Sequence, residues 1–140
     1  MIEDRDILVR YMKKKAILLA YINPQRFLSL HTVNNFPLNY VSPLTQRELE
    51  RKMKYCPLKI YYDPVKGRDV GHDGRNRAVF LLRHKVRRAK VVILFVHHFR
   101  PIPVNEVSQL QLQELREGLG VYILGKPRRL NEIVTTVKVK

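Results

Sequence analysis

The run Val91-Val92-Ile93-Leu94-Phe95-Val96 limits the folds open to this chain more than any other stretch. Six consecutive apolar residues, mostly β-branched, are too few for a buried helix and suit a strand covered on both faces. Such a strand needs neighbouring strands and a layer of helices over the sheet. Ala16-Ile17-Leu18-Leu19-Ala20-Tyr21-Ile22 is a second apolar run, stopped by Asn23-Pro24, and reads as another buried strand. Leu58-Lys59-Ile60-Tyr61-Tyr62, closed by Asp63-Pro64, has strand character, and Val121-Tyr122-Ile123-Leu124 is a short strand. With 140 residues and 45% hydrophobic content, the chain is one domain that can bury a core around these strands.

Helix signals lie between the strands. Ser42-Pro43 supplies an N-cap and a first-turn proline, and Thr45-x-x-Glu48 has capping-box spacing. With Leu49 and Met53 on one face and Pro57 as the stop, a helix is expected over 43–55. Ala78, Val79, Leu82, Val86 and Ala89 fall within one arc of about 100° and predict a core-facing helix over 75–89. Asn105 is placed to cap a helix running to about Glu117, ended by Gly118 and Gly120. Residues Ile7 to Met12 read as a short strand or a helical turn. Residues 23–41, with two prolines and scattered asparagines, read as a long loop with one helical turn near 25–30. His97 to Pro103 is a turn. The tail alternates Ile133, Thr135, Val137 and Val139 with polar or exposed neighbours, a half-exposed strand pattern, although Asn131-Glu132 would also start a short helix.

Charge narrows the partners. Lys and Arg number 27 against 12 Asp and Glu, giving +15 and a pI near 10.3. That excess predicts a polyanionic partner, nucleic acid before membrane surface; the charge-rich surface of a thermophile protein is the alternative. A single cysteine, Cys56, excludes an internal disulfide and fits a reducing compartment. No apolar run approaches the ~20 residues of a membrane span, and the acidic start Met1 to Asp6 is unlike a signal peptide. A cytoplasmic protein is expected, with no membrane partner. Self-association into a homodimer is left open.

The chemistry concentrates in Gly67 to Ala78, which holds three glycines, two aspartates, a histidine and three arginines. Placed between a strand and a helix start, such a segment builds an anion site from unpaired first-turn amides and the helix dipole. Arg75, Asn76 and Arg77 would hold phosphate, beside Gly71 and Gly74. Asp73 is placed as helix N-cap or metal ligand, with Asp69 as a second carboxylate for Mg2+ or Mn2+. His72 is the candidate general base beside a catalytic Asp73. Arg77, His84 and Arg88, flanked by Arg83, Lys85 and Arg87, make a basic helical stripe with no acid between residues 78 and 99. It suits a phosphate backbone. His97-His98 reads as structural, since adjacent strand residues face opposite ways, and Cys56 as inert.

The segment lacks the Gly-Lys-Ser/Thr of a P-loop and is not a Gly-x-Gly-x-x-Gly loop. Its order Gly71-His72-Asp73-Gly74-Arg75-Asn76-Arg77-Ala78 resembles the ParB/sulfiredoxin superfamily, the ParB-like nuclease domains. Members carry a loop of the type Gly-x-Asp/Glu/His-Gly-x-x-Arg-x-x-Ala. The resemblance spans about 16–96, with 97–140 as a C-terminal extension of the same domain.

It implies an α+β fold, a small mixed sheet flanked by helices, with a further helix and strand at the C-terminus. It also implies that Arg75 and Arg77 contact phosphate and that Asp73 holds a metal ion or positions a water. The chain departs from sulfiredoxin in lacking its reactive cysteine in this loop. It departs from the partition proteins in having no room for their helix-turn-helix domain.

The function expected is DNA binding through the loop 71–77 and the basic helix 75–89, with metal-dependent nuclease activity as what the family label adds. The alternatives are a nucleotide-binding switch or small kinase using the same loop, and a non-catalytic accessory DNA-binding protein. A stand-alone member of this kind suits a virus, an archaeal one included, or a plasmid. The cytoplasm would then be the host's.

Overall fold

The computed structural model describes residues 4–35, 45, 47, 48, 51 and 57–133. Helix α1 (Asp4–Lys13) leads to strand β1 (Ile17–Ile22) and two short helices, α2 (Pro24–Ser29) and α3 (His31–Asn34). Strands β2 (Leu58–Asp63) and β3 (Arg68–Asp73) form a hairpin, followed by α4 (Arg75–Arg83) and the long strand β4 (Ala89–His97). A two-residue strand β5 (Arg100–Pro101) folds back on β4, and helix α5 (Gln109–Leu119) and strand β6 (Val121–Gly125) complete the sheet. The chain is an α+β protein with a mixed sheet.

The strand order is β3-β2-β4-β1-β6. Strands β2 and β4 are parallel; the other pairings are antiparallel. The apolar run 91–96 occupies the middle of the sheet and is buried almost throughout, as its composition requires. Alternation along the strands divides the core in two. Leu18, Ala20, Ile22, Leu58, Ile60, Val91, Ile93 and Phe95 face one way and pack against α2, α3, α4 and α5. Ile17, Leu19, Val92 and Leu94 face the other way, where Leu8 and Tyr11 of α1 and Ile133 of a 3-10 turn (130–133) cover them.

The strands at 16–22, 58–62, 91–96 and 121–124 stand where the sequence places them, whereas several boundaries differ. Residues 7–12 belong to a full helix, α1, rather than a strand or single turn. The helical turn expected near 25–30 is α2, capped by Asn23 Oδ1 accepting from the Gln25 amide at 2.9 Å, with Pro24 in its first turn; α3 follows, and 36–41 of the expected loop lie outside the described residues. The C-terminal helix starts at Gln109 rather than Asn105. Ser108 and Gln111 form a reciprocal capping box there, while 104–106 makes a 3-10 turn. Its end is as expected, with Gly120 in the left-handed conformation at φ 65. Of the expected helix 43–55, Thr45 and Glu48 show the capping bond, the Glu48 amide donating to Thr45 Oγ1 at 3.2 Å; most of it lies outside the described residues. So does the expected tail strand beyond Ile133.

The largest correction concerns the helix expected over 75–89. It stops at Arg83, and Ala89 already begins β4. Lys85 turns the chain at φ 59, its amide donating to Leu82 O and that of Val86 to Leu81 O, each at 3.0 Å. That pair of bonds is a Schellman motif, normally built on glycine. Lys15 closes α1 in the same way, with Ala16 N bonded to Tyr11 O at 2.8 Å. The buried face of α4 is accordingly Arg77, Ala78, Phe80 and Leu81, while Leu82 is exposed.

Candidate functional site

The segment 67–78 is not a loop from strand to helix. Residues 68–73 pair with β2 as the edge strand β3, so Gly71, His72 and Asp73 are strand residues and only Gly74 joins β3 to α4. The turn feeding this strand is held by Asp63. Its Oδ1 accepts from the amides of Val65 at 2.9 Å and Lys66 at 3.1 Å. A register shift opposite Tyr61 and Tyr62 then distributes the side chains of β3 over both faces of the sheet.

Asp69 falls on the face carrying α2 and α3. Its Oδ2 accepts from the Thr32 amide at 3.0 Å and the Thr32 hydroxyl at 2.7 Å, and it is buried. His72 lies on the same face, its ring edge-on to Phe27 at 6.1 Å. Burial pushes its imidazole below the ordinary histidine value and nearby Arg75 adds to this, against the pull of Asp73 and Asp69. Asp73 faces the other way, opposite Lys59 in the β2–β3 register. Lys59 Nζ and Arg77 Nη2 each approach its carboxylate to 3.2 Å, and both cations are almost fully buried. Desolvation works against the Asp73 charge. The charges of Arg77 and Lys59 and their hydrogen bonds outweigh it and hold the carboxyl below its usual range.

This geometry reassigns the predicted site residues. Asp69 and Asp73 project from opposite faces and do not share a ligand position. Asp73 is already compensated by two cations, so the donor set does not fit a divalent ion. No group of three or more metal-ligating side chains occurs among the described residues. Arg77 is buried against Asp73 rather than presented to a phosphate. Arg75 and Asn76 are half-buried in the first turn of α4, where Gly74 serves as N-cap without a side-chain bond. His84 caps the end of α4 with its ring 4.4 Å from that of Phe80. Arg87 and Arg88 are exposed but follow the helix, and the Arg88 guanidinium lies 4.5 Å over the ring of Tyr21. The basic stripe of a 75–89 helix is therefore not formed.

One pair escaped the sequence reading. His97 Nδ1 lies 2.8 Å from Asp63 Oδ2. Burial disfavours the Asp63 charge. The hydrogen bonds from His97, Lys66 and Val65 and the charge of His97 outweigh it and lower its pKa. A carboxylate bonded to one imidazole nitrogen orients the other as a proton acceptor. The signal available was faint: Asp63 ends β2 and His97 ends β4, and only the parallel register brings the two ends together.

Exposed cations cluster on one side of the sheet. Arg10, Lys13, Lys14 and Lys15 at the end of α1, and Lys126, Arg128 and Arg129 after β6, lie on the side of the sheet that α1 covers. The exposed acids Glu106, Glu114 and Glu117 lie on or beside α5, over the opposite face, while Asp6 of α1 and Glu132 of the 3-10 turn are exposed on the α1 side. Asp63 and Asp69 are engaged inside the fold, and Asp73, half-exposed, is paired with Lys59 and Arg77.

No family model, curated protein or solved structure matches this chain. The resemblance to the ParB/sulfiredoxin superfamily thus rests on residues 71–78 and the order of their flanking elements. Among the described residues, no helix is long and apolar enough to cross a membrane.

Proposed function

We propose that this protein binds nucleic acid through the phosphodiester backbone, using the α1 side of the sheet rather than the segment 71–77. The observation that carries the reading is the cluster of exposed cations on the α1 side. Among the described residues, seven exposed cations, Arg10, Lys13, Lys14, Lys15, Lys126, Arg128 and Arg129, gather there against two exposed acids, Asp6 and Glu132. Cations at the end of α1 and after β6 then act together on one side, where they outnumber the acids and attract a polyanion. The reading is one of binding; Asp73, held by Lys59 and Arg77, has the surroundings of a structural ion pair.

The test is fluorescence anisotropy with labelled DNA over a salt series. If four cations neutralise phosphates, log affinity falls with log salt at a slope of about −3 to −4. The double substitution Lys13→Gln, Lys14→Gln lowers the magnitude of that slope by about 1.5 to 2. Binding that is absent, or that ignores salt, overturns the proposal.

A further inference from the structure

Strand β6 is an edge of the sheet, and its outward row faces the basic side. Val121 and Ile123 pack into the core on the α5 side, so Tyr122 and Leu124 project on the α1 side, 64% and 43% exposed. Tyr122 stands directly opposite Tyr21 on β1, which stands opposite Lys90 on β4. The three form one row across the sheet. Arg88 lies over it, its guanidinium 4.5 Å from the Tyr21 ring centre and 6.0 Å from that of Tyr122.

Past the other end of β6 is a groove of about 750 Å³, lined by Lys13 and Lys15 of the α1 end, Ile17 of β1, and Lys126 and Arg128. Four cations rim it, over an apolar floor that includes Met12, Ile17 and Pro127; the one acid beside it among the described residues is Glu132, whose carboxylate accepts from the Arg128 amide at 2.9 Å. Tyr122, Leu124 and Lys126 thus lead from an exposed aromatic to a cationic cleft, over about 13 Å of strand.

Phosphates alone would explain the cleft but not the aromatic row. A duplex presents its backbone and hides the faces of its bases. A single strand offers unpaired bases that stack on exposed rings while its phosphates follow a basic groove. We infer that the β6 edge, from Tyr122 to the Lys13–Lys15–Lys126–Arg128 groove, is a track for single-stranded nucleic acid. This inference rests on the nucleic-acid reading above and specifies its partner.

The test compares binding of a dT oligonucleotide, an rU oligonucleotide of equal length and a DNA duplex to the full chain. Single strands of either sugar should bind at least about ten-fold tighter than duplex, and the two arms report whether DNA or RNA is preferred. Tyr122→Ala should weaken single-strand binding by roughly five- to a hundred-fold and leave duplex binding unchanged. Tyr122→Phe, which keeps the ring, should restore it. Lys126→Gln with Arg128→Gln should lower the magnitude of the single-strand salt slope by about 1.4. Equal affinity for single strands and duplex, with Tyr122→Ala silent, overturns the track and leaves the basic surface standing. Absence of binding to all three overturns both.

Discussion

Gly74→Ala tests the junction on which the placement of 71–77 depends. Gly74 joins β3 directly to α4 at φ 121, a conformation in which a side chain is strained by about 1–3 kcal/mol. A Cβ there would lie 2.7 Å from Leu58 Cδ2, and Leu58 is fully buried at the start of β2. The Arg77 guanidinium, 3.1 Å away, blocks the other direction. Overpacking of that kind costs about 1–3 kcal/mol more, so the expected loss is about 2–6 kcal/mol, or at least about 6 °C in Tm for a chain of this size. Gly118→Ala is the control. It lies in the last turn of α5 with nothing within 4 Å of its would-be Cβ, and should gain about 0.5–1 kcal/mol. Urea unfolding of both variants reads the difference. Equal shifts, or a Gly74→Ala protein within about 0.5 kcal/mol of wild type, would refute a close-packed β3–α4 junction.

Other consequences follow from the same contacts. Lys85→Gly removes the left-handed strain at the end of α4 and should raise stability by about 0.5–1 kcal/mol in thermal unfolding. Asp73 and Asp63 have pKa values lowered by folding, so the unfolded chain binds more protons. Their contribution is complete above the ordinary value of 3.8 and is lost as pH falls below it. His72 is also lowered, so a shallower loss begins below 6.5. Urea midpoints against pH should show both windows, and His72→Phe should remove the one below 6.5. Tyr11, pushed up to about 12 chiefly by burial, adds stability below pH 10 that disappears towards pH 12; Tyr11→Phe should flatten that alkaline arm.

The strands were legible because hydrophobic runs such as 91–96 and 16–22 admit little else. Strand β3 was not: Arg68, Asp69, His72 and Asp73 give no apolar alternation, since at the sheet edge Asp69 bonds Thr32, Asp73 pairs with Lys59, and His72 meets Phe27 edge-on. Glycine-rich polar sequence therefore looked like a loop. The end of α4 was hidden because a lysine takes the position glycine usually marks. Arg77 sat on the polar side of the expected helix, yet Asp73 four residues earlier lets it be buried. Asp63 and His97 are separated by 34 residues, and nothing local joins them. The net charge was fully legible, but its distribution was not, because which face each cation occupies depends on the fold.

Amine footprinting of the protein, free and with a nucleic-acid oligonucleotide, tests the central claim most directly. Exposed lysines are acetylated and quantified by mass spectrometry. Lys13, Lys15 and Lys126 should be protected on binding, while Lys66, in the β2–β3 turn beside Pro64 and α5, should react unchanged. Protection of Lys66 with Lys13, Lys15 and Lys126 still fully reactive would contradict the account.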